Sequence, residues 1–266
     1  MKLRIVSWNI RRANKKNTLI WNKVLLFNAD ILLLQEVTSF PKQIHDIYKI
    51  KARKAVTKNG NIQSFHTAVL VKSKIDSEIR LFSKFEWVNK ELAFFNGNLV
   101  ACTANINNKY LNIISVYSPA WPVEMNRIKE FDISKVKLVN NPDVWCTEIL
   151  WDALKNVMPL NKYPWIVGGD FNSSPTFDMT FSSGNQEIID RMYSLGFKEC
   201  LKEYNKKLTP TFKNSKGGKI VHQIDHLYAS NTVFKKLKYC NVIDQDEIFE
   251  ESLSDHLPIV ADFQFE

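Results

Sequence analysis

The chain has 266 residues and is 45% hydrophobic, with seven Trp and 17 Phe, enough to fill a sizeable core in one large domain or two small ones. Lys and Arg outnumber Asp and Glu by 36 to 28, a formal charge of +8 that favours polyanionic partners, and no apolar run reaches the roughly 18 residues of a membrane span. The opening MKLRIVSWNI is interrupted too soon by polar groups to be a signal peptide, and Cys102, Cys146, Cys200 and Cys240 show neither C-x-x-C nor zinc-like spacing, so a cytoplasmic protein with reduced thiols is expected.

Along the chain, short apolar strands alternate with helical stretches. Leu3 to Ser7 alternates and predicts a strand. Thr18 to Asn28 carries Ile20, Trp21, Val24 and Leu25 at helical spacing. Ile31 to Leu34 reads as a buried strand ending in Gln35-Glu36. His66 to Lys72, Leu99 to Asn105 and Tyr110 to Tyr117 follow as strands, with a hairpin turn at Asn107-Asn108. Pro119 to Asn141 is irregular and reads as a lid or surface excursion. Val144 to Val157 predicts a helix, Trp165 to Gly169 a buried strand, and Gln186 to Leu195 a helix capped by Gly196. Val221 to Tyr228, Leu237 to Val242 and Ile259 to Phe265 complete the strands. No repeat, low-complexity tract or Pro/Gly/Ser linker interrupts this order, so one domain over residues 1–266 is expected.

Two segments concentrate the positive charge. Lys49 to Lys58 holds five basic residues and no acid, and Lys202 to Lys219 holds six Lys against Glu203 alone. Solvated loops account for them as well as phosphate contacts do. The acidic Asp244 to Glu251 would repel a polyanion and is expected to face away from one.

Polar residues gather at strand ends. Asn9 follows the first strand and Glu36 the second, Tyr117 ends the strand before Pro119, Asp170 and Asn172 lie in WIVGGDFNSSP, Asp225 lies in VHQIDHLYA, and Asp255-His256 precede the last strand. Singly, each has a structural account: turn formers, an Asx turn, a core ring. Sheets can bring strand ends together, and jointly these groups make a hard-cation site beside a proton-transfer group. Glu36 and Asp255 suit Mg²⁺ or Mn²⁺, which polarise a phosphoryl oxygen. Asp170 would orient or deprotonate a water, with Asn172 and Asn9 positioning it. His256 would face a phosphate oxygen as an acid, or serve as the water-activating base, and Asp225 would fix its tautomer.

The chain resembles the endonuclease/exonuclease/phosphatase superfamily, which includes deoxyribonuclease I, exonuclease III-like abasic-site endonucleases, deadenylases, sphingomyelinases and inositol-polyphosphate 5-phosphatases. The resemblance is carried by SWNI (7–10), LLQE (33–36), SVYSP (115–119), GGDFNSSP (168–175), QIDHLYAS (223–230) and SDHLPIV (254–260), in the family's order across almost the whole chain. It implies an α/β fold, a four-layer sandwich of two facing mixed β-sheets flanked by helices, with the site at one edge. It implies Mg²⁺-dependent phosphoester hydrolysis, with Mn²⁺ as a substitute: Glu36, Asn9 and Asp255 at the metal, Asp170 and Asn172 on the water, His256 on the phosphate with Asp225 behind it, and Tyr117 beside them. Arg11 departs from abasic endonucleases, which commonly carry a small or acidic residue there. So does Ala120, where they place an Asn, and so does Val37-Thr38, which lacks the Lys they place two residues after the glutamate. Arg11 and Arg12 are candidate phosphate contacts or ordinary surface charges.

The reading is therefore a metal-dependent nuclease acting on DNA or RNA, the alternative being a phosphatase or phosphodiesterase acting on a small phosphoester or a phospholipid head group. Trp121, Phe171 and Phe212 are candidates to stack on bases, with core packing as the competing role.

Overall fold

The computed structural model describes residues 1–179, 183–214 and 218–265. Among them the strands are β1 (Lys2–Asn9), β2 (Ile31–Val37), β3 (Lys49–Val56), β4 (Ile62–Val71), β5 (Lys74–Glu78), β6 (Leu99–Ile106), β7 (Lys109–Tyr117), β8 (Trp165–Asp170), β9 (Phe197–Glu199), β10 (Phe212–Lys213), β11 (Ile220–His222), β12 (Asp225–Ser230), β13 (Leu237–Val242) and β14 (Ile259–Gln264). The helices are α1 (Thr18–Leu26), α2 (Lys42–Ile47), α3 (Glu86–Phe94), α4 (Met125–Ile128), α5 (Cys146–Val157), α6 (Asn185–Ser194), α7 (Cys200–Asn205), α8 (Asn231–Phe234) and α9 (Asp246–Phe249).

Two six-stranded mixed sheets form, ordered β13-β14-β1-β2-β4-β3 and β5-β6-β7-β8-β12-β9, with β10 and β11 as a separate ribbon. Each sheet has a parallel pair at its centre, β1 with β2 and β7 with β8, while the remaining pairings are antiparallel. Strand alternation decides the layers. Leu3 and Ile5 of β1 and Ile31 and Leu33 of β2 pack between the sheets against Ile113, Ile166 and Leu227. Val6, Trp8, Leu32 and Leu34 face the other way and bury Ile20, Trp21 and Val24 of α1. The second sheet's outer face buries Trp87 and Val88 of α3 and Ile149, Leu150 and Leu154 of α5. The result is the expected four-layer α/β sandwich.

The Asn107-Asn108 turn holds both residues at positive φ (50° and 64°), which matches the twist of the two-residue hairpin joining β6 to β7. Gly196 caps α6 at φ 83°. Two expectations are corrected. Lys49 to Lys58 is largely strand, not loop: β3 is a sheet edge, and Lys51 and Arg53 reach across to Glu78 on the facing edge strand β5. Charges there close the open side of the sandwich and discourage pairing with another chain. Val221 to Tyr228 is two strands, because Gln223 and Ile224 break the run between β11 and β12. α3 and β5 occupy the stretch between Lys72 and Leu99, which the sequence reading passes over. In the basic stretch 202–219, Lys216 lies outside the described residues.

The turn after α3 approaches β3 closely. A Cβ on Gly97 would stand 1.6 Å from the Lys54 carbonyl oxygen, so only glycine fits. No helix among the described residues is long and apolar enough to cross a membrane.

Candidate active site

The parallel pairs carry the site. Their register places Asn9 beside Gln35 and Tyr117 beside Asp170, while antiparallel β12 sets Asp225 opposite Asp170. Strand ends from both sheets thus meet at one edge. Ser254 fastens the last turn to it: its hydroxyl donates to the Asn9 carbonyl (2.7 Å) and accepts from the His256 amide (3.1 Å). Trp8 Nε1 donates to the His256 carbonyl (2.8 Å).

Backbone strain clusters here. Glu36 stands at φ 57°, where the β2–β4 register breaks between Leu34 and Val37, and the irregularity re-aims its side chain. Gly169 sits at φ 146° with a Cβ position only 2.0 Å from the Val116 carbonyl oxygen. Arg11 (φ 47°), Arg12 (φ 57°) and Asn172 (φ 47°) are also left-handed.

Asp170 is buried. Its Oδ1 accepts from the Asn172 amide (3.0 Å), and its Oδ2 accepts from Asn9 Nδ2 (3.1 Å) and Asn172 Nδ2 (3.2 Å). Asn172 Nδ2 also donates to the Ser118 carbonyl (2.7 Å). His256 Nδ1 lies 2.9 Å from Asp225 Oδ2 and 3.1 Å from Oδ1, while Nε2 faces Asp170 Oδ2 across 4.0 Å. Asn9 Nδ2 reaches Glu36 Oε1 at 3.5 Å. Asp255 lies at the rim, with Arg11 Nε 3.9 Å from its Oδ2, and Arg12 Nε lies 3.6 Å from Glu36 Oε2. The two arginines therefore compensate the two acids expected at the metal. They remain largely exposed.

Burial shapes the proton affinities. Burial is the largest cause at Asp170 and pushes its carboxyl up; the neighbouring His256 opposes this and the Asp225 charge adds to it. At His256 burial disfavours the cation, but Asp225, Asp170 and Asp255 together outweigh it, so the imidazole holds its proton well above its ordinary range. Burial, then the charges of Glu36 and Asp170, push the Tyr117 phenol up, so it remains a neutral donor toward Glu36.

The structure thus gathers Asn9, Glu36, Tyr117, Asp170, Asn172, Asp225, Asp255 and His256 at one edge. Sequence reasoning read Ser254 only as a turn former and gave no role to Trp8, although both lie inside the quoted motifs. Of the three aromatic candidates, Phe171 is core, and Trp121 packs on Phe94 and Phe95. Phe212 lies against the His256 ring, with centroids 4.9 Å apart.

An acid with its donors, a histidine–carboxylate pair and a second acid at the edge of a double-sheet sandwich define a phosphoester-hydrolase architecture. The profile of the endonuclease/exonuclease/phosphatase family matches residues 6–256, and the chain belongs to that family. No curated protein sequence matches it. Its fold is shared with a 3′ phosphatase, NExo, from Neisseria bound to product DNA hairpin (TM-score 0.70, 18% identity, 99% of this chain and 100% of that one). It is also shared with an AP endonuclease from Archaeoglobus fulgidus (TM-score 0.69, 18% identity, 99% and 100%). The endonuclease domain of TRAS1, a telomere-specific non-LTR retrotransposon, aligns at TM-score 0.61 and 15% identity, over 99% of each chain.

Proposed function

We propose that this protein is a divalent-metal-dependent nuclease in which the whole chain acts as one catalytic unit. The observation that carries the reading is the buried His256–Asp225 pair facing Asp170 across 4.0 Å, with Asn172 and Asn9 bonded to the same carboxylate.

Glu36, Asn9 and Asp255 offer only hard oxygen donors, and the two acids already attract Arg12 and Arg11, so they fit Mg²⁺ or Mn²⁺. The cation would neutralise charge developing on the phosphoryl and leaving oxygens. Ligand atoms of Asp170, Asp225 and His256 also lie within 4.8 Å of one another, but Nδ1 is engaged by Asp225 and the ring is held protonated, which favours a proton-transfer role for this group.

Asp170, made more basic by burial, takes the proton of the attacking water, and Asn172 orients that water from the adjoining loop. The water oxygen bonds to phosphorus as the phosphorus–ester oxygen bond breaks, and the leaving oxygen takes its proton from solvent. His256, held protonated by Asp225, donates from Nε2 to a nonbridging oxygen, which favours the acid role over the base role. Tyr117 holds the Glu36 carboxylate in place.

Nucleic acid is the substrate class that the charge favours. The segment after β1 places the exposed Arg11 and Arg12 beside Asp255 and Glu36 and carries the exposed Lys15 and Lys16 further along. The similarity to a DNA-bound 3′ phosphatase and to an AP endonuclease is consistent with this. The buried thiols agree with an intracellular location. The deciding experiment is a panel of plasmid, single-stranded DNA, RNA, abasic duplex, inositol phosphates and a lipid phosphodiester, run with Mg²⁺ and with chelator. Cleavage of polymer, with KM rising steeply with salt, is expected. Phosphomonoester hydrolysis without polymer cleavage would overturn the nuclease reading.

A further inference from the structure

β12 presents two adjacent titratable side chains to opposite faces of its sheet. Asp225 meets His256. His226, equally buried, turns toward the helical layer and sets its ring edge-on to Phe171 at 5.4 Å.

The partners of His226 fix its tautomer. Gln223 Oε1 accepts the Thr209 amide (2.8 Å), which orients the Gln223 amide so that its Nε2 faces His226 Nδ1 at 3.2 Å. An amide nitrogen only donates, so Nδ1 accepts and the imidazole proton sits on Nε2. Nε2–H then donates to the Ser173 carbonyl at 3.0 Å. Glu199 Oε1, 3.8 Å from Nδ1, is too distant to compete and already accepts the Leu227 amide (3.1 Å).

Ser173 is the neighbour of Asn172, whose left-handed backbone must be held by its surroundings. The Ser173 hydroxyl donates to Asn185 Oδ1 (2.7 Å), so the residue is fixed through both its side chain and its carbonyl. At the far end of the network, Thr209 precedes β10, whose Phe212 lies on His256. One imidazole thus joins the loop bearing Asn172 to the segment that covers His256.

We propose that His226 is a positioning residue for hydrolysis: its Nε2–H bond to Ser173 holds Asn172 at the angle needed to orient the attacking water. The proposal rests on the reading of Asn172 as the water-orienting group. Loss of this buried support is expected to lower kcat by about tenfold to hundredfold while leaving substrate and metal affinity close to wild type.

The test compares wild type, His226→Phe and His226→Gln. Phe keeps the ring and removes both hydrogen bonds, whereas Gln keeps a donor on a flexible amide. The readouts are kcat and KM on the best substrate of the panel, Mn²⁺ affinity, and the backbone amide resonance of Asn172. Expected for His226→Phe are a fall in kcat without a matching rise in KM, unchanged Mn²⁺ affinity, and a displaced Asn172 signal; His226→Gln recovers much of both. A His226→Phe variant with wild-type kcat and an unmoved Asn172 signal overturns the proposal, as does His226→Gln failing to the same extent, which would mark a packing role. If wild type hydrolyses nothing, the proposed function falls, and the Asn172 signal with its recovery in His226→Gln still decides the positioning claim. Should His226→Phe fail to fold, Gln223→Met frees the tautomer with His226 in place, and the same shift in kcat and in the Asn172 signal is expected.

Discussion

His256 and Asp225 form a buried pair, Nδ1 to Oδ2 at 2.9 Å, although 31 residues separate them in the chain. Asp225 touches the reaction only through the imidazole. His256→Ala and Asp225→Asn should each lower kcat by about 10² or more, and the double variant should be little worse than His256→Ala alone, because groups acting as a unit are not additive. Multiplying losses in the double variant would show that Asp225 acts elsewhere.

Asp170 accepts three hydrogen bonds and lies opposite the imidazole. Asp170→Asn keeps the shape and removes the base, so kcat should fall by about 10²–10⁴ with the melting temperature nearly unchanged. Near-wild-type turnover in this variant would displace Asp170 from the mechanism.

Glu36 and Asp255 should govern metal affinity. Chelation is expected to abolish activity, and Glu36→Gln to weaken Mn²⁺ binding by titration calorimetry. Arg12 sits 3.6 Å from Glu36 and adds a competing positive charge. Arg12→Ala should therefore tighten Mn²⁺ binding while raising KM if the guanidinium also meets phosphate. Weaker Mn²⁺ binding in Arg12→Ala would contradict this assignment.

Glu148 in α5 is fully buried, and burial pushes its carboxyl up to about 7 against the hydrogen bonds from Thr147 and Trp145. The folded state then holds a proton that the unfolded chain releases near pH 4.3. The stability this contributes is fully present below about pH 4.3, falls as pH rises to about 7, and changes no further above; it amounts to roughly 4 kcal/mol. Urea unfolding of Glu148→Gln should lack this decline, so the variant gains on wild type across that window. A constant difference between the two would refute it.

Gly97→Ala drives a methyl into the Lys54 carbonyl. Separation of α3's turn from β3 should cost about 2 kcal/mol or more, read as a lower melting temperature. Equal melting points would show that the backbone yields freely there.

Much of the site was readable in the chain because each group sits in a short local pattern. Asp170 and Asn172 lie in GGDFNSSP, where Gly169 meets a backbone approach no side chain allows, and Asp255-His256 lie in SDHLPIV. The strands that stand out as short apolar or alternating runs, β1, β2, β7, β8 and β14, were legible for the same reason. Edge strand β3 was not. Its lysines and arginine look like loop charges until Glu78 on β5 stands across from them, and that pairing depends on the two sheets being stacked.

The sequence by itself determined the inventory: which acids, amides and histidine are available, and that they lie at strand ends. Only the tertiary structure decided their chemistry, because proton affinity and orientation depend on neighbours brought from distant segments. Burial between sheets raises Asp170, and Asp225 makes His256 a lasting acid. Ser254 ties the last turn to Asn9 across 245 residues. Between the two histidines of β12 and the final turn, a carboxylate partner makes one an acid, while a carbonyl and an amide orient the other. No local pattern carries that difference, since it rests on which partner each ring meets once the sheets close.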